Sequence, residues 1–190
     1  MSPVDLLEDS FSPAMPVRAP RSPREPRLEV HRFRPGAVLG TAFLALLLQA
    51  FLPIYVRRAS LLELPLLVTL YFGLSRRNPA RGLLLGMVMG MALDGLGGTP
   101  IGLFGIALTL VGFLASTIGG RLDVEHPYSR LFLAFLAFHF QHIIHALTRR
   151  SLLNEREVLF SLTLLLASVI NAVVAVGLFA LLDRLRDTEK

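Results

Sequence analysis

The chain has 190 residues, of which 53% are hydrophobic and only 17% are charged. Soluble globular domains carry about 25% charged residues, so this composition argues against a soluble enzyme domain and favours a membrane protein. The absence of cysteine excludes a disulfide framework, a cysteine-ligated metal site and a cysteine nucleophile. The net charge of +5 does not indicate nucleic-acid binding, because the basic residues lie in short loops and one tail and not on a basic face interleaved with aromatics.

The first 35 residues differ in composition from the rest of the chain. They hold 7 of the 12 prolines, and within residues 20–27 proline recurs at every third position. This spacing excludes a helix and favours an extended, polyproline-like chain. We therefore predict a disordered Pro/Arg-rich cytoplasmic tail over residues 1–35, with its arginines near anionic lipid headgroups. The alternative is a docking arm for a cytosolic partner.

Six apolar segments follow the tail and predict a membrane domain over residues 36–182. They cover residues 36–56, 61–74, 82–96, 100–118, 131–147 and 158–182. A membrane-spanning helix needs about 20 residues, so the second and third segments are short unless their flanking residues extend them. The predicted fold is an all-α bundle of about six transmembrane helices, followed by a short charged cytoplasmic tail over residues 183–190.

The distribution of basic residues predicts the orientation of this bundle. With a cytoplasmic N-terminus and six crossings, 14 of the 19 Lys and Arg residues fall on the cytoplasmic side and 5 on the outer side. The cytoplasmic loops of membrane proteins carry an excess of Lys and Arg. Both termini are therefore expected in the cytoplasm.

The third segment carries glycine at every fourth position, at Gly82, Gly86 and Gly90, and the next residue in this series is Asp94. Residues spaced by four lie on one face of a helix, and small residues at this spacing let another helix approach closely. An acid inside a membrane segment is costly and faces the protein interior. Two interpretations of Asp94 stay open: a cap for the turn that follows, or a buried acid that binds a ligand or a partner.

The fifth segment carries three histidines, each three residues after the last, on one side of a helix. Imidazoles at this spacing can ligate a metal ion or relay protons. They can also form a polar stripe that neighbouring helices satisfy, which the lack of further acidic ligands nearby favours. No metal site is therefore predicted. The three residues are His139, His142 and His145.

Depth in the membrane suggests partners for these polar side chains. At 1.5 Å of rise per residue, Asp94, His142 and His145 reach a similar height in their helices. The sequence therefore predicts a hydrogen bond from Asp94 to His142 or His145 inside one buried polar cluster. The predicted cluster consists of Gln49, Asp94, His139, His142, His145 and Asn171.

Catalytic motifs are missing from the sequence. It shows no nucleophile–base arrangement and no pair of carboxylates within one apolar segment. The Gly-Gly-Thr-Pro stretch over residues 97–100 lacks the lysine and the strand-to-helix context of a phosphate-binding loop. We therefore expect neither an enzymatic activity nor a cofactor.

The stretch over residues 82–103 resembles the signature of the MreD family of rod shape-determining membrane proteins. The shared features are a glycine-spaced helix, Asp94 near its end, a turn containing Gly98, and then Pro100 and Gly102 at the start of the next helix. Residues 71–74 and the basic turn that follows them are also similar to the family. The resemblance covers residues 36–182 and leaves the proline-rich tail and the histidines unexplained.

The resemblance implies a non-enzymatic subunit of the cell-wall elongation machinery in the bacterial inner membrane. Its implied partners are the bitopic coiled-coil protein MreC, the RodA glycosyltransferase with its class-B transpeptidase, and MreB filaments. The implied mechanism is docking of MreC through transmembrane helix faces. Two glycine sets are candidate docking faces, while the basic tail and the turn over residues 76–81 are candidate contacts with anionic lipid or cytosolic partners. These sets are Gly82, Gly86 and Gly90, and the pair Gly36 and Gly40.

A transporter subunit is the alternative function. The family is similar in architecture to the substrate-capture subunits of energy-coupling-factor transporters, which also have six helices. In that interpretation Gln49, Asp94 and the histidines would line an outward-facing pocket for a vitamin or a metal ion. The chain has no tryptophan and few other aromatic and polar side chains for such a pocket, which favours the shape-determining function.

Overall fold

The computed structural model describes residues 35–55, 61–76, 78–119, 126–155 and 157–184, and the regular secondary structure of these residues is helical. The predicted N-terminal tail lies outside the described residues up to position 34, and so do residues 185–190 of the predicted C-terminal tail. The described residues form six helices, α1 (Pro35–Tyr55), α2 (Leu64–Arg76), α3 (Pro79–Gly97), α4 (Leu103–Ile118), α5 (Pro127–Leu153) and α6 (Leu162–Asp183).

Four of the six helices, α1, α3, α5 and α6, are long and apolar enough to cross a membrane. The other two are shorter, because α2 has 13 residues and α4 has 16. At 1.5 Å per residue these lengths are about 20 and 24 Å, less than the hydrocarbon core of about 30 Å. The structure therefore has the six helices of the predicted bundle, and four of them reach spanning length.

The bounds of α3 and α4 differ from the apolar segments in the sequence. α3 begins before Gly82, because the Asn78 side chain accepts a hydrogen bond from the backbone N–H of Arg81 (3.2 Å) and Pro79 occupies the first turn. It ends where Gly98 adopts a left-handed conformation, with φ of 63°. α4 begins only at Leu103. Flanking residues therefore extend the third segment to a helix of 19 residues, whereas the fourth segment forms a helix of only 16.

α2 is the central helix of the bundle. All of its residues from Leu64 to Leu74 are buried, and it packs against each of the other five helices. A helix that is apolar on every side is stable only inside a larger structure. Because protein and not lipid surrounds α2, its 13 residues need not match the thickness of the membrane.

α1 has the opposite environment. Among the described residues it packs only against α2 and α3, and large apolar side chains point away from the bundle: Leu39 is 70% exposed, Phe43 65% and Ile54 72%. In a membrane such a surface faces lipid or a partner helix. α1 is therefore the helix with the most surface left for other molecules.

Candidate functional site

The glycine stripe of α3 packs directly on the backbone of α4. Gly82, Gly86 and Gly90 are all buried, and a Cβ atom added to any of them would collide with α4 backbone atoms. The opposing α4 carbonyls also recur at every fourth residue, so the two antiparallel helices touch backbone to backbone along this line, here called the glycine seam. These carbonyls belong to Gly112, Leu108 and Phe104.

The glycine seam is a contact within one chain. Because α4 covers Gly82, Gly86 and Gly90, this face of α3 has no room for a helix of another protein. This glycine stripe, one of the two candidate docking faces, is therefore not available to a partner protein. The other candidate, Gly36 and Gly40, is exposed, and no atom of the described part of the chain lies within 4 Å of an added Cβ.

Asp94 is fully buried at the end of the seam and binds the turn between α3 and α4. Its Oδ2 accepts hydrogen bonds from the backbone N–H groups of Gly102 (2.8 Å) and Gly105 (3.1 Å). Its Oδ1 accepts from the backbone N–H of Phe104 (3.0 Å) and from the hydroxyl of Thr99 (3.1 Å). The carboxylate therefore caps α4 by satisfying N–H groups that a helix leaves unpaired at its N-terminus, where the helix dipole favours negative charge.

The family-motif glycines shape the turn that Asp94 binds. Gly98 and Gly102 have φ angles of 63° and 112°, in the left-handed region that side chains disfavour, and Pro100 lies exposed between them. Of the two interpretations of Asp94, these contacts match the cap. The predicted hydrogen bond to His142 or His145 does not form, because both oxygens of the carboxylate bind this turn instead.

A second polar group lies where the chain enters α2. Gln49 of α1 donates a hydrogen bond to the carbonyl of Leu62 (2.9 Å) and accepts one from the N–H of Leu64 (3.0 Å). Asn171 of α6 accepts a hydrogen bond from the N–H of Glu63 (2.8 Å). Non-helical backbone inside a membrane is tolerated only where protein or trapped water satisfies it. These two amide side chains provide hydrogen-bond partners for the backbone groups at the entry to α2.

α5 completes this group with Gln141, which donates a hydrogen bond to the carboxylate of Glu63. Asn171 also donates to the carbonyl of Leu61 (2.7 Å). We call Gln49, Glu63, Gln141 and Asn171 the amide cluster. Gln49 and Asn171 were predicted members of one polar cluster, and the structure does bring them together, but around the start of α2 and without Asp94. The predicted cluster did not include Glu63 or Gln141. Glu63 is an acid inside an apolar segment and Gln141 lies between two histidines, so both positions could have indicated a buried polar contact.

The histidines of α5 do not share one site. His139 donates a hydrogen bond to the carbonyl of Phe135 in its own helix (3.1 Å), and His142 lies 3.3 Å from the carbonyl of Val158. Within the described ranges, no group of three His, Asp or Glu side chains could hold a metal ion. Each histidine thus has a separate local partner.

His145 joins α5 to the connection that leads to α6. Its Nδ1 lies 3.1 Å from the carboxylate of Glu157, which also pairs with Arg149. Its ring stacks on Phe104 at 4.3 Å between centroids, next to the turn that Asp94 organises. Partial burial by itself raises the pKa of Glu157, but the hydrogen bonds from Arg149 and His145 outweigh this effect and hold the pKa below its ordinary value.

An ion pair holds the opposite end of α2. Arg130 of α5 pairs with Asp183 of α6 (2.7 Å) and lies over the ring of Phe179, while the hydroxyl of Tyr71 in α2 donates to the same carboxylate (2.9 Å). The sequence analysis missed this contact, since charged residues at the ends of apolar segments are expected even without a partner. α2 is thus held at one end by the amide cluster and at the other by this ion pair.

A family model described as rod shape-determining protein MreD matches residues 32–185. The chain belongs to the MreD family. This confirms the resemblance drawn from residues 82–103, and the matched range contains all six helices. The protein is therefore a multi-pass membrane protein of a rod shape-determining, structural family. No curated protein and no solved structure matches the chain, so the likeness to energy-coupling-factor subunits stays a prediction.

Proposed function

We propose that this MreD family member is a non-enzymatic subunit of the cell-wall elongation machinery in the bacterial inner membrane, where it binds MreC through a transmembrane helix face. Membership in a rod shape-determining family supports this function. The polar side chains support a scaffold, because Asp94, Gln49 and Asn171 bind the protein's own backbone. A scaffold needs a rigid bundle and an open surface, and these contacts supply the rigidity.

The open face of α1 is the docking surface in this proposal, and the observation that carries it is that no described residue lies close to Gly36 or Gly40. Leu39 and Phe43 lie beside the glycines and are 70% and 65% exposed. Helices associate in membranes mainly by van der Waals packing, which small residues strengthen because they let backbones approach. A single transmembrane helix of MreC would pack into the shallow surface over these glycines.

The proposed topology has six crossings with both termini in the cytoplasm. Its support is the excess of basic residues that this arrangement places on the cytoplasmic side, 14 of 19. Burial of α2 by its neighbours is compatible with a crossing shorter than the membrane is thick. RodA, its class-B transpeptidase and MreB filaments are the further partners in this proposal.

The alternative, substrate capture for a vitamin or metal transporter, requires the polar residues to line an open pocket. Asp94 is fully buried and both of its oxygens bind the turn before α4. Gln49 and Asn171 bind backbone groups, and His139 bonds within its own helix. Because these groups serve the fold, the scaffold is the function that we propose.

Copurification of MreC tests the proposal. Gly40→Leu places a bulky side chain on the proposed docking face, while Gly177→Leu makes the same change at another glycine with open surroundings, on α6. We expect Gly40→Leu to lose most of the copurified MreC and Gly177→Leu to retain it, with both variants inserted and monodisperse in mild detergent. Unchanged recovery with Gly40→Leu, or an equal loss with both variants, would contradict the proposal.

A further inference from the structure

A groove lined by apolar side chains lies between α4 and α5, with α2 as its floor. Its volume is about 300 Å³, and its walls are leucine, isoleucine, valine, alanine and phenylalanine side chains. Leu74 forms part of the floor, and Ile118 and Leu133 form part of the walls. These three residues lie near the end of α2, the end of α4 and the start of α5. The groove therefore reaches the end of the bundle where α2 finishes.

The groove opens toward the lipid side of the bundle. Leu114 and Leu136 lie on its rim and are 36% and 45% exposed. An apolar cavity of this kind excludes water and accepts apolar guests. In a membrane, the apolar guest available at such an opening is a hydrocarbon chain.

Two arginines that form no ion pair with another described residue lie at the same end. Arg76 is the last residue of α2, two positions beyond Leu74, and is half-buried. Arg81 lies in the first turn of α3, five residues after Arg76, so the short connection between the two helices brings both arginines to the same end. Among the described residues, the ion pairs involve Arg130 and Arg149 and the carboxylates near them, and neither Arg76 nor Arg81 takes part.

The ends of α2 and α4 meet at this point. A Cβ atom added to Gly119 would collide with the backbone of Leu74, so the chain leaves α4 in direct contact with the last turn of α2. A ligand whose tail enters the groove beside Leu74 and Ile118 therefore has its polar end at the end of the bundle that also holds Arg76 and Arg81. Two neighbouring guanidiniums without carboxylates select an anionic headgroup, and phosphate oxygens match their donor geometry.

We propose that this protein binds one anionic phospholipid, with an acyl chain in the groove between α4 and α5 and the phosphate at Arg76 and Arg81. The proposal does not depend on the docking of MreC, since no residue of α1 lines the groove. It adds a defined lipid site to the general attraction of basic loops for anionic membranes.

Native mass spectrometry of the purified full-length chain, titrated with phosphatidylglycerol or phosphatidylcholine, tests the site. We expect one phosphatidylglycerol to bind in preference to phosphatidylcholine. The double substitution Arg76→Gln with Arg81→Gln should weaken phosphatidylglycerol binding roughly 30-fold, as expected for two arginines near an anionic lipid. Arg150→Gln, at an exposed position near the other end of α5, should leave it unchanged.

A second variant tests the groove separately from the charges. Ala137→Phe fills the space beside α2, and Ala180→Phe makes the same change at an exposed position of α6. Only Ala137→Phe should weaken binding, and water-soluble glycerophosphate should not displace the lipid. Equal binding of the two lipids, undiminished binding in the double arginine variant, or displacement by glycerophosphate would overturn the proposal. Because no MreC is present, none of these results bears on the docking face.

Discussion

Two parts of this molecule carry glycines at the same four-residue spacing and use them differently. On α3, Gly82, Gly86 and Gly90 are buried against the α4 backbone. On α1, Gly36 and Gly40 are exposed, and within the described ranges no neighbour lies within 4 Å of an added Cβ. The spacing indicates that a helix can approach closely, but it does not say whether that helix belongs to the same chain.

The connection between helices explains the difference. α3 and α4 are joined by a turn of five residues, 98–102, which forces them to run antiparallel side by side. Asp94 holds this turn through the N–H groups of Gly102, Phe104 and Gly105. A glycine stripe that ends in a capped short turn therefore packs within its own chain, and the α1 glycines have no such constraint.

The largest effect that we predict is a loss of folding with Gly86→Leu. The new side chain would meet the backbone of Leu108, which cannot move aside as a flexible side chain can, so we expect a cost of at least about 4 kcal/mol. Gly40→Leu, in open surroundings, should change stability by less than about 0.5 kcal/mol. Thermal unfolding in detergent, followed by far-ultraviolet circular dichroism, measures both. A stable Gly86→Leu variant would show that the contact between α3 and α4 does not require glycine at this position.

The glycine seam shows how far sequence reasoning reaches. The spacing of Gly82, Gly86 and Gly90 predicted a close helix contact, and the glycines after Asp94 predicted a turn. The identity of the partner helix could not be predicted, because periodicity defines the face of one helix and carries no information about its neighbour. For this reason the sequence left α3 and α1 as equal candidates for docking.

The polar residues show where sequence reasoning fails. Depth counted along each helix placed Asp94 near His142 and His145, but depth does not define the direction in which a side chain points around its helix. The carboxylate also had a nearer set of partners in the backbone N–H groups at the start of α4. Gln49 and Asn171 meet at Glu63, because α2 begins inside the bundle, which apolar patterning does not reveal.

Asp94→Leu should have the next largest effect, because it acts at the end of the glycine seam. The substitution leaves three backbone N–H groups and the Thr99 hydroxyl without this acceptor. We expect a loss of about 2–4 kcal/mol. Asp94→Asn keeps one acceptor oxygen, so its stability should lie between those of the unsubstituted protein and Asp94→Leu. The unfolding midpoints of the three proteins should follow this order, and equal midpoints would show that the cap contributes nothing.

Arg130→Gln should have a moderate effect, because it removes one partner of the ion pair that holds α2 to α5 and α6. The Asp183 side chain is 26% exposed, so water offsets part of the loss and we expect about 1–2 kcal/mol. Arg150→Gln is the matched control at an exposed position. A comparison of their unfolding midpoints measures the effect of the pair, and indistinguishable midpoints would count against it.

The smallest predicted effect is a dependence on acid pH through Glu157. Its pKa is held below the ordinary value of 4.5 by Arg149 and His145, so the native state favours the charged form. The stabilisation of the native state by charged Glu157 is complete above about pH 4.5, and it is lost as pH falls through the lowered native pKa. Glu157→Gln should make the acid-side fall in stability shallower, by less than about 1 kcal/mol. Identical pH profiles would contradict the assignment.

Site-specific photo-crosslinking in living cells tests the comparison between α1 and the rest of the bundle most directly. A photoreactive residue is placed at Phe43 on α1, and at two positions of similar exposure on other helices, Val88 on α3 and Val173 on α6. We expect a crosslink to MreC from Phe43 and none from Val88 or Val173. A crosslink from Val88 or Val173 without one from Phe43 would show that MreC docks elsewhere.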